Sequence, residues 1–278
     1  MLTRLLLENN RKIRIVKGEM KILGISMWRK VMCRRRRNKQ VQNKVLCEVD
    51  DHYDLLTKDV MFEDNVKKIE SYLKVKPEAI EACNARDYTP LQFAIFKNRE
   101  DVIDFLLDRG ADVNNHYNMY CTTPLHTALM SPNINTIDKL LQRGAYVNAT
   151  TTHGETPLHY MGKDDPAIIH LFYIYGANLN ITDYYTKTLL SHHIVRKNTG
   201  NALALLAYTS DINSQIYNNY TSLYYACLSG SPEIVSELLK VGADPGIICE
   251  GETCYEVARR CSLPCYEILM SHKALSVN

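Results

Sequence analysis

The sequence predicts an all-α solenoid, a stack of about seven two-helix units joined by hairpin loops. Three observations carry that prediction. A threonine opens successive units at Thr89, Thr123, Thr156, Thr188, Thr221 and Thr253, at intervals of 34, 33, 32, 33 and 32 residues. A glycine keeps step with it at Gly110, Gly144, Gly176 and Gly242, and Thr209 and Lys273 stand where it fails. Leucine pairs recur between the two markers, at Leu106-Leu107, Leu140-Leu141, Leu205-Leu206 and Leu238-Leu239. One unit of this length cannot bury its own apolar face, but stacked neighbours can.

Each element follows from its residues. Thr123-Pro124-Leu125-His126 and Thr156-Pro157-Leu158-His159 carry the opening motif in full, and Thr89-Pro90-Leu91-Gln92 differs at its last position. Threonine supplies an N-cap oxygen for free helix amides. Proline suits the first helical turn, where no N–H is needed. Leucine faces the core, and the fourth-position histidine is expected to bond the adjoining threonine or loop and so tie neighbours together. The leucine pairs fill the inner face of the second helix. Gly-Ala then ends that helix in a left-handed conformation at no Cβ cost.

The units fall at approximately 50–83, 84–114, 115–148, 149–180, 181–213, 214–246 and 247–278. The first keeps two amphipathic stretches without the opening motif, as a capping unit would. The last is also worn, with Thr253-Cys254-Tyr255-Glu256 for the motif and Lys273-Ala274 for Gly-Ala. Thr188-Leu189-Leu190-Ser191 and Thr209 predict local irregularity between Tyr184 and Asn213.

These openings, the Leu-Leu-x-x-Gly-Ala core and the closing Val-Asn resemble the ankyrin-repeat family over residues 50–278. The resemblance implies helix, turn, helix and a projecting hairpin finger. It also implies a long concave binding surface built from first helices and finger tips. Mapped onto this chain, the tips present His116, Tyr117, Asn118 and Tyr120, then Thr152 and His153, Tyr184 and Tyr185, and Tyr217, Asn219 and Tyr220. Eighteen tyrosines against five phenylalanines support such a surface, because tyrosine combines contact area with a polar handle.

The wording of the units (GETPLHYMGKDD, YNNYTSLYYACLSG) is similar to ankyrin-repeat proteins of large DNA viruses, poxviruses above all. That similarity implies a scaffold that binds a host protein to counter host defence or set host range. Many such proteins also recruit a ubiquitin ligase through a C-terminal F-box-like segment. Here the nearest candidate, Leu263-Pro264-Cys265-Tyr266-Glu267-Ile268-Leu269, has one residue too many and aligns with a second helix of the repeat. Sequestration or competition therefore suits the chain better than the alternative of a ligase substrate adaptor.

Composition separates two parts. The chain has 278 residues, 46% hydrophobic and 23% charged, which excludes a collagen-like or wholly disordered protein. Its formal charge of +2 averages +12 over residues 1–46 and −10 over the rest. Residues 1–46 are expected to form a basic, loosely ordered leader, and Met20, Met27 and Met32 offer later starts. Residues 47–278 form the repeat domain. The run Arg34-Arg35-Arg36-Arg37 suits an importin, nucleic acid or an anionic membrane surface as well as a solvated leader. An alternative reading is therefore a cellular or bacterial-effector regulator that enters the nucleus through this run. Nine irregularly spaced cysteines and no signal-peptide pattern predict an intracellular protein, and the viral resemblance implies the host cytoplasm. No apolar run reaches the roughly 20 residues of a transmembrane helix.

Nothing in the chain looks catalytic. It has no phosphate-loop glycine pattern, HExxH, GxSxG or CxxC. No cofactor, metal or small-molecule substrate is expected, and a monomer binding another protein is. His192 and His193 are adjacent and should point apart. Cys249, Cys254, Cys261 and Cys265 are spaced too irregularly for zinc knuckles and read as small buried thiols.

Overall fold

The computed structural model describes residues 65–84, 87–116, 118–216 and 219–276. The leader with Arg34–Arg37, residues 50–64 of the first unit, Tyr117 and Tyr217 lie outside the described residues. Within them stand twelve α-helices and two 3-10 turns. Helix α1 (Asn65–Val75) runs into a 3-10 turn at Pro77–Glu81. Five helix pairs and one shortened pair follow. They are α2 (Pro90–Phe96) with α3 (Glu100–Asp108), α4 (Pro124–Met130) with α5 (Ile134–Gln142), and a 3-10 turn at Pro157–Tyr160 with α6 (Pro166–Ile174). Next come α7 (Leu189–Val195) with α8 (Thr199–Leu206), α9 (Ser222–Ser229) with α10 (Pro232–Lys240), and α11 (Cys254–Cys261) with α12 (Leu263–Ser276).

The opening helices pack in one row, α2 on α4, α4 on the Pro157 turn, that turn on α7, α7 on α9, and α9 on α11. Helices α6, α8, α10 and α12 form a second row behind them. The core runs between the rows, with Leu91, Leu125, Leu158, Leu189 and Leu223 from the first and Leu106, Leu140, Phe172, Leu205 and Leu238 from the second all buried. No helix among the described residues is long and apolar enough to cross a membrane.

The opening motif does what its chemistry predicts. Thr123 N–H donates to His126 Nδ1 (3.1 Å), and His126 Nε2 faces the Glu155 carbonyl of the next unit at 3.2 Å. Where glutamine replaces histidine, the same two tasks are kept. Gln92 Oε1 accepts from Thr89 N–H (3.1 Å) and its amide donates to the Thr122 carbonyl (2.7 Å). Gly110, Gly144, Gly176 and Gly242 all take left-handed φ values of +79 to +89. At Thr209 the backbone never enters that region, and its hydroxyl instead donates to the Leu205 carbonyl at 3.0 Å. At Lys273 helix α12 simply continues to Ser276.

Irregularity appears at Thr209, within the expected unit, and also in a unit where none was expected. Residues Tyr184–Asn213 still form two full helices, α7 and α8, with Thr188 Oγ1 accepting from Ser191 N–H (3.2 Å) and the Ser191 hydroxyl donating to the Thr188 carbonyl (2.9 Å). The shortened helix is the one with the full motif, Pro157–Tyr160. The next N-cap, Asp165, stands nine positions after Thr156, against ten from Thr123 to Asn133. Gly162, a poor helix former, falls in that stretch and bonds back to the Leu129 carbonyl at 3.3 Å.

The hairpin loops are short. One backbone bond closes each: Asn84 N–H to Tyr88 (2.9 Å), Thr151 to Glu155 (3.0 Å), Asp183 to Lys187 (3.0 Å) and Ile216 to Tyr220 (3.0 Å). With so few residues per arm, isolated bridges form instead of a ladder, at Thr182–Thr188, Ile216–Tyr220 and Cys249–Glu252.

Candidate functional site

Three successive finger tips are each built around one buried polar side chain. Asn118 Oδ1 accepts from the N–H of Tyr120 (3.1 Å) and Thr122 (2.9 Å), while its amide donates to the Thr122 carbonyl (2.8 Å). Thr151 Oγ1 does the same for His153 (3.2 Å) and Glu155 (3.3 Å), and Asp183 Oδ1 for Tyr185 (2.8 Å) and Lys187 (2.9 Å). Three residues after each, the chain turns left-handed, at Cys121, Gly154 and Thr186, and also at Asp87 and Asn219 in the flanking fingers. The tips are therefore fixed loops whose side chains are aimed by their own backbone.

Successive fingers are also joined. Thr152 N–H donates to the Tyr120 carbonyl and Tyr184 N–H to the His153 carbonyl, both at 2.9 Å. The Tyr120 and His153 rings stack with centroids 6.2 Å apart. Gly154 lets this happen: a Cβ there would lie 2.7 Å from Tyr184 Cδ1 and 3.0 Å from its backbone nitrogen.

The structure sorts the expected tip residues into two kinds. Tyr120, Tyr184 and Tyr185 are exposed to the extent of 43%, 64% and 55%, and with half-buried His153 they offer contact area. Asn118 is buried and acts as a brace, while Thr152 carries the inter-finger bond. His116 is exposed but bonds the Asn114 carbonyl at 2.9 Å, ahead of the tip. Asn219 holds the exposed left-handed position at φ +57. Tyr220 is committed within the stack: its hydroxyl donates to Glu250 at 2.6 Å and its ring stacks on Tyr224 at 4.5 Å. That bond to Glu250 pushes its hydroxyl pKa up to about 12.

Between the tips and the opening helices lies a groove of about 510 Å³. Tyr120, His153 and Tyr185 line it, joined by Tyr88, Met119, Met130, Glu155 and Tyr160, none of which the motif search singled out. Their signal was positional: Met130 ends helix α4 as Phe96 ends α2, and both are exposed apolar residues. Burial raises the Tyr160 pKa to about 12, helped by the neighbouring Glu155 carboxylate.

The other constellations are structural. His159 and His192 rings meet edge to face at 5.4 Å, and His192 and His193 at 5.7 Å. Burial holds the imidazoles of His126, His159 and His193 at pKa values of about 4 and that of His192 at about 3. Cys249, Cys254 and Cys265 are buried, whereas Cys261 is exposed where a buried thiol was expected; it ends helix α11 on the outward side. The Cys227 thiol, bonded to Cys254 and desolvated, is pushed up well above the usual range. Among the described residues no group of three or more His, Cys, Asp or Glu could hold a metal ion.

Comparison with known proteins agrees with this architecture. Two family models, both of ankyrin repeats, match residues 91–141 and 158–249, together just over half of the chain. No curated protein matches it. Among solved structures, the ankyrin repeat domain of human ASB11 superposes with a TM-score of 0.60 at 24% sequence identity, covering 66% of this chain and 84% of that one. At that identity the likeness speaks for the fold alone. Matched by those models over just over half of its length, this chain belongs to the ankyrin-repeat proteins.

Proposed function

We propose that the chain is a non-enzymatic scaffold that captures a partner protein on the face formed by its finger tips and opening helices. The observation that carries this reading is the pre-set row of exposed aromatic rings, Tyr120, Tyr184 and Tyr185, on fingers braced from within and bonded to one another. A surface ordered in advance loses little entropy on binding, and tyrosine gains more contact area per ordered rotamer than most side chains. The repeats' similarity in wording to those of large DNA viruses supports a host protein as the partner, held so as to blunt a defence or set host range. The nuclear-regulator reading rests on Arg34–Arg37, outside the described residues. The ligase-adaptor reading loses support, because Cys265 and Leu269 of its candidate segment are buried within helix α12.

Affinity purification of full-length chain from transfected cells, with mass spectrometry, is the test. A partner recovered by the native chain is expected to be lost from the Tyr120→Ala, Tyr184→Ala, Tyr185→Ala triple variant while the circular dichroism melt stays within a few degrees of the native one. Undiminished capture by that variant overturns the assignment of the face.

A further inference from the structure

The groove beneath the fingers has a chemistry of its own. Four tyrosines surround it, Tyr88, Tyr120, Tyr160 and Tyr185, and Asp87 and Glu155 add two carboxylates. Among the described residues no lysine or arginine lines it. Among the described residues neither carboxylate forms an ion pair, although several acidic side chains along the second helices do, Asp104 with Lys139 and Asp108 with Arg143 among them. Negative charge beside the electron-rich faces of phenol rings is unfavourable for an acidic or neutral polar guest, but it suits a cation carried on an apolar stem.

We propose that this groove takes a cationic side chain, arginine above all, presented by an extended segment of the partner. The inference deepens the reading of the finger face as an interaction surface and rests on it. A guanidinium is planar and weakly hydrated, so it can stack on a tyrosine face while its edge meets a carboxylate. Glu155 is positioned for that role: its side chain lies beside the half-buried Tyr160 hydroxyl, and its backbone is fixed by Thr151 on one side and His126 on the other. Asp87 stands at the opposite finger, exposed at a left-handed turn with φ +62. The neighbouring His126 imidazole adds no opposing charge, being buried and neutral above acid pH. Met119 and Met130 supply the adaptable apolar surface for the stem.

The groove methionines allow a direct test. The full-length chain carrying carbon-13 methionine methyl groups is titrated with acetyl-Gly-Ser-Arg-Ser-Gly-amide and with versions holding citrulline or leucine in place of arginine. The Met119 and Met130 signals are expected to shift saturably with the arginine peptide and about tenfold more weakly with the citrulline one. Glu155→Gln and Asp87→Asn should each weaken arginine binding severalfold and leave citrulline binding unchanged. Both variants preserve the backbone, since asparagine accepts the left-handed turn as aspartate does. Equal binding of the three peptides, the absence of any shift, or indifference to both variants overturns the proposal. The scaffold reading is decided separately by partner capture, so a captured partner together with equal peptide binding would leave that reading standing and remove only the preference for a cation.

Discussion

Individual residues set how exactly the fingers are held. Thr186 is β-branched and sits at φ +60, a conformation that costs a non-glycine residue on the order of 1–3 kcal/mol. Gly154 occupies the matching place one finger earlier, where Tyr184 presses against it. Opposite outcomes are therefore expected from two small changes. Thr186→Gly should stabilise the chain by about 0.5–1 kcal/mol, net of the glycine's added freedom when unfolded, read as a higher urea midpoint. Gly154→Ala should destabilise it by about 2 kcal/mol and move Tyr184 out of line, read as a lower midpoint and weaker partner capture. The left-handed positions were not legible as a class, because the sequence fills them with Asp87, Cys121, Gly154, Thr186 and Asn219. At four of the five a polar side chain three residues upstream braces the turn, so the residue at the turn itself is free to vary.

At the level of elements, the closing asparagine of each unit acts as a bracket to the next. Asn114 donates to the Gly144 carbonyl (3.0 Å) and accepts from Tyr146 N–H (2.7 Å). Asn148 does so with Gly176 (3.2 Å) and Asn178 (2.9 Å), Asn180 with Tyr208 (2.9 Å) and Ser210 (3.2 Å), and Asn213 with Gly242 (3.2 Å) and Asp244 (2.8 Å). Replacing Asn148 by alanine breaks both bonds to the next unit at once. A loss of about 1–3 kcal/mol is expected, measurable by chemical denaturation; an unchanged midpoint would show that water replaces the bracket. The Val-Asn ending was visible in the sequence, but its partner lies about 30 residues ahead and no local pattern points there. Helix lengths were legible in part. Threonine caps and leucine pairs located α2 to α11, whereas a complete motif opens only a 3-10 turn at Pro157–Tyr160, where Gly162 follows.

The whole stack shares one dependence on pH. Four imidazoles, His126, His159, His192 and His193, are held neutral in the folded chain with pKa values of about 3 to 4. Arg196 further opposes protonation of His159, His192 and His193; Asp183 outweighs it at His159, whereas Asp164 offsets it only in part at His193. In the unfolded chain the same groups titrate near 6.5, so below that value the unfolded state binds more protons. Stability is full above pH 6.5 and falls as the pH drops towards 4, by about 1 kcal/mol per histidine for each pH unit. Thermal melts between pH 7.5 and 5 should show a steep decline that His193→Gln partly flattens; a flat profile would mean that the rings are hydrated in solution. The stack and its caps were legible because they repeat. The groove was not, because its lining is assembled from single residues of several units.

The asparagine bracket also bears on how such a gene can change length. Each bracket reaches one unit forward and meets the same pair of groups, a carbonyl and an amide of the next turn. If residues 149–180 were lost, Asn148 would face the Tyr208–Ser210 turn that Asn180 now holds, and the seam would close in register. Recombination between units can therefore add or remove whole segments without having to invent a new joint, and the composition of the finger row can be reshuffled faster than its architecture decays.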